Sequence, residues 1–444
     1  MNNQHNSAPI PTHTPAPALS RPLHKHYRWE LMALLCCTYF LHQADRAIFG
    51  AVLPLIKSDL QLSNTQIGVS VWVLFFVTAV MVPIAGWVGD RWSKKWIISC
   101  SLVFWSVATM LTGISRGIGG LIAFRSVATG GGESFYGPAS TALIAAFHKK
   151  TRALALSLHQ GALYFGIMVS GFLGMWFAQQ FGGWRSAFYI FGGAGVLLGG
   201  VLALCLRDPG DGAAEAGAAE TGGARAPQKP LPPLEAVALL VRIPSALLLT
   251  CGFIAIVFVN NAYVTWAPMF IGAKFATPQI VASGNSMLYH HIAALAGVLI
   301  GGALADAVVP RNPRFRLQLQ ACAMFCGVPF IFLIGRVDSL ATLWVVIAIF
   351  GFVRGLYESN THAAIFDVVP QRLRATVVGL MIMCAFLIGS LSPLLLGLLG
   401  DHYGTARGLG IGFSGLSLAW LAGGCCLVAA LMFTYNKDRL KNNQ

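Results

Sequence analysis

Charge is what this sequence has least of. Asp, Glu, Lys and Arg make up 10% of its 444 residues, whereas a soluble domain carries about 25% to cover its surface. So sparse a supply of polar groups excludes a water-facing globular surface and leaves lipid as the solvent. Metal-site and nucleotide-binding signatures are missing too. The cysteines form no Cys-x-x-Cys pair and share no metal-binding spacing with histidine. Cys322 and Cys326, four apart, read as small packing residues. No disulfide framework, cofactor or metal is expected. There is no His-Glu-x-x-His pair and no P-loop lysine, so neither a membrane enzyme nor ATP drive is indicated.

What is present is apolar length. Hydrophobic residues make up 56% of the chain and 49 residues are glycine, which suits tightly packed membrane helices. A span needs about 20 mostly apolar residues. Twelve such runs lie near 30–54, 66–88, 96–115, 118–146, 153–178, 186–206, 244–270, 284–308, 317–336, 340–367, 375–400 and 410–435. Residues 1–28 are rich in Pro, His and Asn. They are expected to be a disordered cytoplasmic tail, not a signal peptide, because the apolar run behind them is too long and many more follow. The Gly-, Ala- and Pro-rich stretch 207–235 cannot form a packed core and reads as a cytoplasmic linker. The expected organisation is an all-α membrane protein: a six-helix bundle over 29–206, the linker, a second bundle over 236–436, and a tail, 437–444.

Basic residues set the expected orientation. With the N-terminus inside, 21 of the 30 Lys and Arg fall on the cytoplasmic side and 6 outside, the asymmetry that cytoplasmic loops show. Clusters such as Arg91, Lys94 and Lys95, or Arg311, Arg314 and Arg316, can lie against anionic headgroups. The net charge of +14 therefore calls for no nucleic acid. The expected location is the cell membrane, multi-pass, with both termini cytoplasmic and the chain a monomer.

The two halves echo each other. Gly86-Trp-Val-Gly-Asp90 closes the second run and Gly302-Ala-Leu-Ala-Asp306 the eighth. Arg152-Ala opens the fifth and Arg374-Ala the eleventh; Arg125 and Glu133 lie in the fourth, Arg354 and Glu358 in the tenth. Such matches indicate an internal repeat. The segment GWVGDRWSKK, residues 86–95, resembles the loop signature between helices 2 and 3 of the major facilitator superfamily, with Ser93 in place of a glycine. Asp45-Arg46 with the following AIFGAVLPLIKSDLQLSNTQIG, and Arg125 through GGGESFYGPA to Arg152 and Gly183-Trp184-Arg185, resemble that superfamily's anion:cation symporter branch, which carries sugar acids and aromatic acids. Spinster-like lipid transporters share much of the pattern. Arg125 precedes Glu133 by eight residues where the family's usual spacing is seven. On a regular helix that turns Arg125 by about 100° and leaves its facing open.

Ionisable residues deep in a span cost roughly 2.5–3.5 kcal/mol each, so they face the bundle interior and mark a pathway. Asp45 and Glu133 are expected to carry a coupling proton, with sodium as the alternative ion. Arg46 and Arg125 are candidate anchors for an anion, because guanidinium is a fixed fork of donors matched to carboxylate. The bland reading is that these four only neutralise one another. Arg354 and Glu358, four apart, can pair along one helix face or belong to the pathway, as can His159. Tyr136, Tyr164, Asn261 and Asn360 are candidates to line the cavity and bond substrate. The resemblance implies a cytoplasmic latch of Gly86, Asp90, Arg91, Lys95, Arg152 and Asp306 that breaks when the cavity opens inward; a solvated cap is the alternative. The expected function is proton-coupled secondary transport of a small organic anion within the lipid bilayer. The alternatives are a spinster-like lysolipid or amphiphile exporter and a non-transporting sensor.

Overall fold

The computed structural model describes residues 26–148, 151–208 and 241–442. Most of the expected N-terminal tail and linker, Lys149, Lys150, residues 443–444 and the Asp90 side chain lie outside the described residues. Among the described residues every regular element is helical. The first half comprises α1 (Tyr27–Asp59), α2 (Asn64–Arg91), α3 (Lys94–Thr112), α4 (Ile118–Gly120, Leu121–Ala128, Thr129–Glu133 and Tyr136–Phe147), α5 (Arg152–Gln180) and α6 (Trp184–Cys205). The second comprises α7 (Pro244–Phe275), α8 (Gln279–Val308), α9 (Phe315–Ile334), α10 (Leu340–Glu358 and Thr361–Val368), α11 (Arg374–Gly389 and Leu391–Tyr403) and α12 (Thr405–Ala429, continuing through Ala430–Thr434 to Tyr435–Asn442). α8 and α12 begin ahead of their apolar runs, because Pro278 presets the first turn and Gly404, at φ +83°, makes the turn out of α11.

Packing repeats between the halves. α3 lies on α6 as α9 lies on α12, and α2 lies on α4 as α8 lies on α10. Among the described residues ten helices are long and apolar enough to cross a membrane. The two that fall short, α1 and α4, carry Asp45, Arg46, Arg125 and Glu133. Their polarity is sheltered inside the first bundle, where Asp45, Arg125 and Glu133 are all buried.

α4 decides where Arg125 faces. Leu121–Ala128 is π-helical, a wider turn that absorbs an extra residue without breaking the helix. The eight-residue spacing to Glu133 is thereby accommodated, and Arg125 turns into the bundle against α1.

The bundles meet at the end opposite the linker and part at the linker end. Near the opposite end, a Cβ on Gly68 of α2 would lie 2.8 Å from both Leu394 Cα and the Pro393 carbonyl oxygen of α11, so only glycine allows this approach. Mid-membrane, Phe75 of α2 stacks on Phe386 of α11 with ring centroids 5.8 Å apart. Gly86 lies about three turns beyond Phe75 and Gly379 about two turns before Phe386, on the same helix faces. A Cβ on either would meet nothing within 4 Å. α2 and α11 thus diverge toward the linker, opening a cleft between the bundles.

Candidate functional site

Two buried ion pairs tie α1 to α4, each joining a residue of one helix to the oppositely charged residue of the other in sequence order. Arg125 Nη1 donates to Asp45 Oδ2 at 3.1 Å, and its Nη2 donates to the Asp45 carbonyl, also at 3.1 Å. Thr109 of α3 donates to the same Oδ2 at 3.0 Å. Arg46 Nε donates to Glu133 Oε2 at 2.6 Å, and His42 Nε2 stands 3.9 Å from that oxygen. Neighbouring residues on a helix point apart by about 100°, which is why Asp45 and Arg46 reach different partners. Each pair leaves an oxygen unused: Asp45 Oδ1 and Glu133 Oε1 are buried without a protein partner, as is Arg125 Nε. The Arg46 side chain is 16% exposed against 3% for Arg125. It lies 6.0 Å from the Phe386 ring centroid across the cleft, so Arg46 is the cation nearer the opening.

Toward the linker end a polar aromatic layer adjoins these pairs. Tyr39 stacks on His159 with centroids 4.2 Å apart. His159 Nε2 and the Tyr136 hydroxyl are 2.8 Å apart, and that hydroxyl also donates to the Leu35 carbonyl. Both hydrogen-bond partners of Tyr136 thus lie within the first bundle. Asn360 is likewise engaged, donating to Ser359 Oγ at 2.8 Å and to the Gly301 carbonyl at 3.4 Å. Asn261 is buried with Nδ2 unpartnered.

The second bundle holds its own cluster. Arg354 Nη2 lies 3.3 Å from Glu358 Oε2, and Nη1 lies 3.2 Å from His290 Nε2. Tyr164, from α5 of the first bundle, donates to Glu358 Oε2 at 2.9 Å. The predicted helix-face pair forms, then, and a residue of the other half joins it.

Residues 35–393 match the Major Facilitator Superfamily. The chain belongs to that superfamily. Within it, the chain is 28% identical over 401 residues to human Protein spinster homolog 1, covering 84% of this chain and 73% of the relative. It is 27% identical to Drosophila melanogaster Protein spinster over 311 residues, covering 68% of this chain and 50% of that protein. The fold matches the crystal structure of a bacterial homologue of the human lysosomal transporter Spinster, inward-facing and occupied, at TM-score 0.81 and 20% identity, covering 94% and 99% of the two chains. It matches the nucleoside transporter NupG at TM-score 0.68 and 13% identity, covering 92% and 99%.

In this major facilitator chain the latch residues named from the sequence, the Asp90 side chain excepted, can be followed at the linker end. Arg91 is exposed, its guanidinium 4.3 Å from the Trp87 ring centroid of its own helix. The Lys95 amide donates to Asp208 at 3.0 Å, and Ser93 Oγ donates to the same carboxylate. Asp306 is exposed, Arg152 opens α5, and Gly86 faces open space. Among the described residues no ion pair or hydrogen bond joins these groups to one another.

A closed latch lies at the opposite end, and the sequence reading missed it. The Asp401 carboxylate, at the end of α11, accepts from the backbone N–H groups of Asn64 and Thr65 at 2.8 and 2.7 Å. These open α2 in the other bundle, behind a Ser63/Gln66 capping box. Lys57 Nζ donates to Asn64 Oδ1 at 2.6 Å and to Thr405 Oγ1 at 3.3 Å. A signal was there: Gly397-Leu-Leu-Gly-Asp401 repeats the Gly-x-x-Gly-Asp of residues 86–90 at the opposite face. An acidic cap on a helix N-terminus contributes about 0.5–2 kcal/mol. Asp401→Ala is expected to raise labelling of a cysteine placed at Val71, a buried position of similar size one turn from Gly68, by a membrane-impermeant maleimide roughly two- to thirtyfold; unchanged labelling would contradict the latch.

Gly113-Ile-Ser115-Arg-Gly117 spells the Gly-x-Ser-x-Gly of hydrolase elbows. That motif works on a strand-to-helix turn beside a histidine. Here it joins two helices, and Ser115 Oγ has no hydrogen-bond partner.

Proposed function

We propose that this chain is a proton-coupled, alternating-access transporter of an organic anion that carries an apolar tail. One observation carries the reading: two buried ion pairs at the heart of the first bundle, with Asp45 Oδ1 and Glu133 Oε1 both lacking a donor. A proton on either carboxyl supplies a donor where none exists and removes one negative charge. A guanidinium then stands in excess, and an anion entering the cleft restores the balance. Proton and anion thus favour each other's binding, which is the linkage a coupled transporter needs. Arg46, the better exposed cation, would meet the anion first; Asp45 and Glu133 would hold the proton.

The excess of Lys and Arg at the linker end argues that this end is cytoplasmic, in the cell membrane, with both termini inside. The cleft then opens inward. Asp401 would hold the outer end shut, and the residues around Asp90 would close the inner end in the alternate state.

The apolar tail is favoured by a groove of about 400 Å³ between α1 and α5, lined by Trp29, Met32, Cys36, Leu158, Ala162 and Phe165. It begins one helical turn from Tyr39 and beside His159, so a chain lying there could keep its headgroup at the polar layer. Likeness to the spinster proteins supports the same choice. A small hydrophilic carboxylate such as a sugar acid is the second reading, favoured by a charge-dense core that needs no tail.

The test is uptake by the purified full-length chain in proteoliposomes under an imposed pH gradient. The panel would contain gluconate, benzoate and an oleoyl lysophospholipid with an acidic headgroup. Accumulation of the lysophospholipid that collapses with a protonophore is expected. Accumulation of gluconate alone would select the second reading. Uptake that follows an imposed sodium gradient at constant pH, and ignores the pH gradient, would replace the proton with sodium.

A further inference from the structure

Glu358 ends the first part of α10, and the helix is interrupted at Ser359-Asn360 before resuming at Thr361. Glu133 occupies the same place in α4, which stops there, is interrupted at Ser134-Phe135 and resumes at Tyr136. α4 and α10 are the fourth helices of their halves, so Glu-Ser at a break is part of the internal repeat. The chain stays helical in direction at both places, with Ser134 at φ −62°, ψ −25° and Ser359 at φ −54°, ψ −29°, so each is one tightened turn that sets a Glu-Ser pair at the corresponding point of its bundle.

The groups around Glu358 have the chemistry of an anion site. Guanidinium has no acceptor, so His290 Nε2 must accept from Arg354 Nη1. The His290 proton is then on Nδ1, which is buried with the Ile347 backbone as a neighbouring acceptor; Arg354 Nε is buried without a protein partner. His291 Nδ1 faces the Met287 carbonyl at 2.8 Å and donates to it, leaving Nε2 bare. A buried guanidinium N–H without an acceptor and a buried imidazole thus lie beside one carboxylate. That carboxylate is at the mouth: the Glu358 side chain is 28% exposed and that of Arg354 9%. Tyr39 of α1, Tyr164 of α5, and Tyr357 and His362 of α10 complete the titratable groups that face Glu358.

We propose that Arg354, His290 and Tyr164 form a second anion site, for a carboxylate or phosphate group of the substrate, and that Glu358 fills it until it is protonated. The inference rests on the reading of the chain as a coupled anion transporter. A proton on Glu358 cancels the charge that holds Arg354 and Tyr164. The substrate anion then takes the place of the carboxylate on Arg354, and the Tyr164 hydroxyl follows it. Tyr164 belongs to the other bundle, so the exchange rewrites a contact across the cleft and couples ligand to bundle movement.

Binding to the purified full-length chain in nanodiscs, measured by calorimetry at pH 8 and pH 6, tests this. The probes are oleoyl lysophosphatidic acid and glycerol 3-phosphate, which share the phosphate and differ in the tail. Wild-type affinity for the lysophospholipid should rise by about tenfold per pH unit on acidification, the slope of one linked proton. Glu358→Gln should bind at pH 8 at least as tightly as wild type does at pH 6, with a flattened slope. Arg354→Gln should lose binding at both pH values, and Arg354→Lys, which keeps the charge if the first variant misfolds, should recover part of it. A wild-type slope in Glu358→Gln, or wild-type affinity in Arg354→Gln, overturns the second site. So does wild-type protein that binds neither probe. The transport reading is judged separately, by the pH-gradient uptake assay.

Discussion

Asp45→Asn and Glu133→Gln proteins are expected to exchange substrate across a membrane yet fail to accumulate it on a pH gradient. Each substitution makes permanent the neutral state that a proton creates transiently. In Asp45→Asn, Arg125 keeps its bond to the residue 45 carbonyl, so the helix pair stays seated while the titratable oxygen is gone. In Glu133→Gln, Arg46 retains an amide oxygen to donate to at the Oε2 position, 2.6 Å away in the native pair. Coupling energies between linked sites run at 1–3 kcal/mol, so accumulation should fall roughly 5–150-fold. Counterflow should change far less. Proton-driven accumulation at the wild-type level in both variants would remove these carboxyls from the coupling machinery.

Arg125→Gln should be the most destabilising single change in the core. Its side chain and that of Asp45 are 3% and 5% exposed. Removing the cation strands a buried carboxylate with Thr109 as its one remaining side-chain donor. Losing one partner of a buried pair costs about 3–5 kcal/mol. The double variant Asp45→Asn/Arg125→Gln strands no charge and should recover more than half of that loss, read as a melting temperature in detergent. A double variant no more stable than Arg125→Gln would mean that the pair is not what holds α1 to α4. The contrast with Asp45→Asn is informative: the carboxyl has a neutral form that the fold must tolerate during transport, and the guanidinium has none.

Much of the fold was legible because it is written in local terms. Whether a run of residues crosses a membrane depends on its own transfer energy, and the runs fall on the described helices, ten of which are long and apolar enough to span. The internal repeat also showed in letters, down to Arg354 and Glu358 matching Arg125 and Glu133. The site was legible as an inventory: Asp45, Arg46, Arg125 and Glu133 could be named because hydrocarbon does not tolerate them elsewhere. Their pairing could not. Tyr136 and Asn360, offered as cavity groups, proved to be held by neighbours. The extra residue between Arg125 and Glu133 looked like a misfacing arginine until the π-helical turn at Leu121–Ala128 absorbed it. Asp401 was overlooked because its partners, the N–H groups of Asn64 and Thr65, are backbone and carry no letter.

The sequence by itself determined that this chain lives in a bilayer, that it is built of helices, that its halves are related, and which ionisable side chains must turn inward. Each of these follows from a per-residue or helical-period rule that needs no distant partner. Tertiary structure alone decided that Asp45 pairs with Arg125 and Glu133 with Arg46, that Tyr164 reaches Glu358 across the cleft, and that the end opposite the linker is the one that is shut. Those facts depend on the register between helices far apart in the chain. A shift of one residue turns a side chain by about 100°, so packing, and not composition, selects among partners of equal charge.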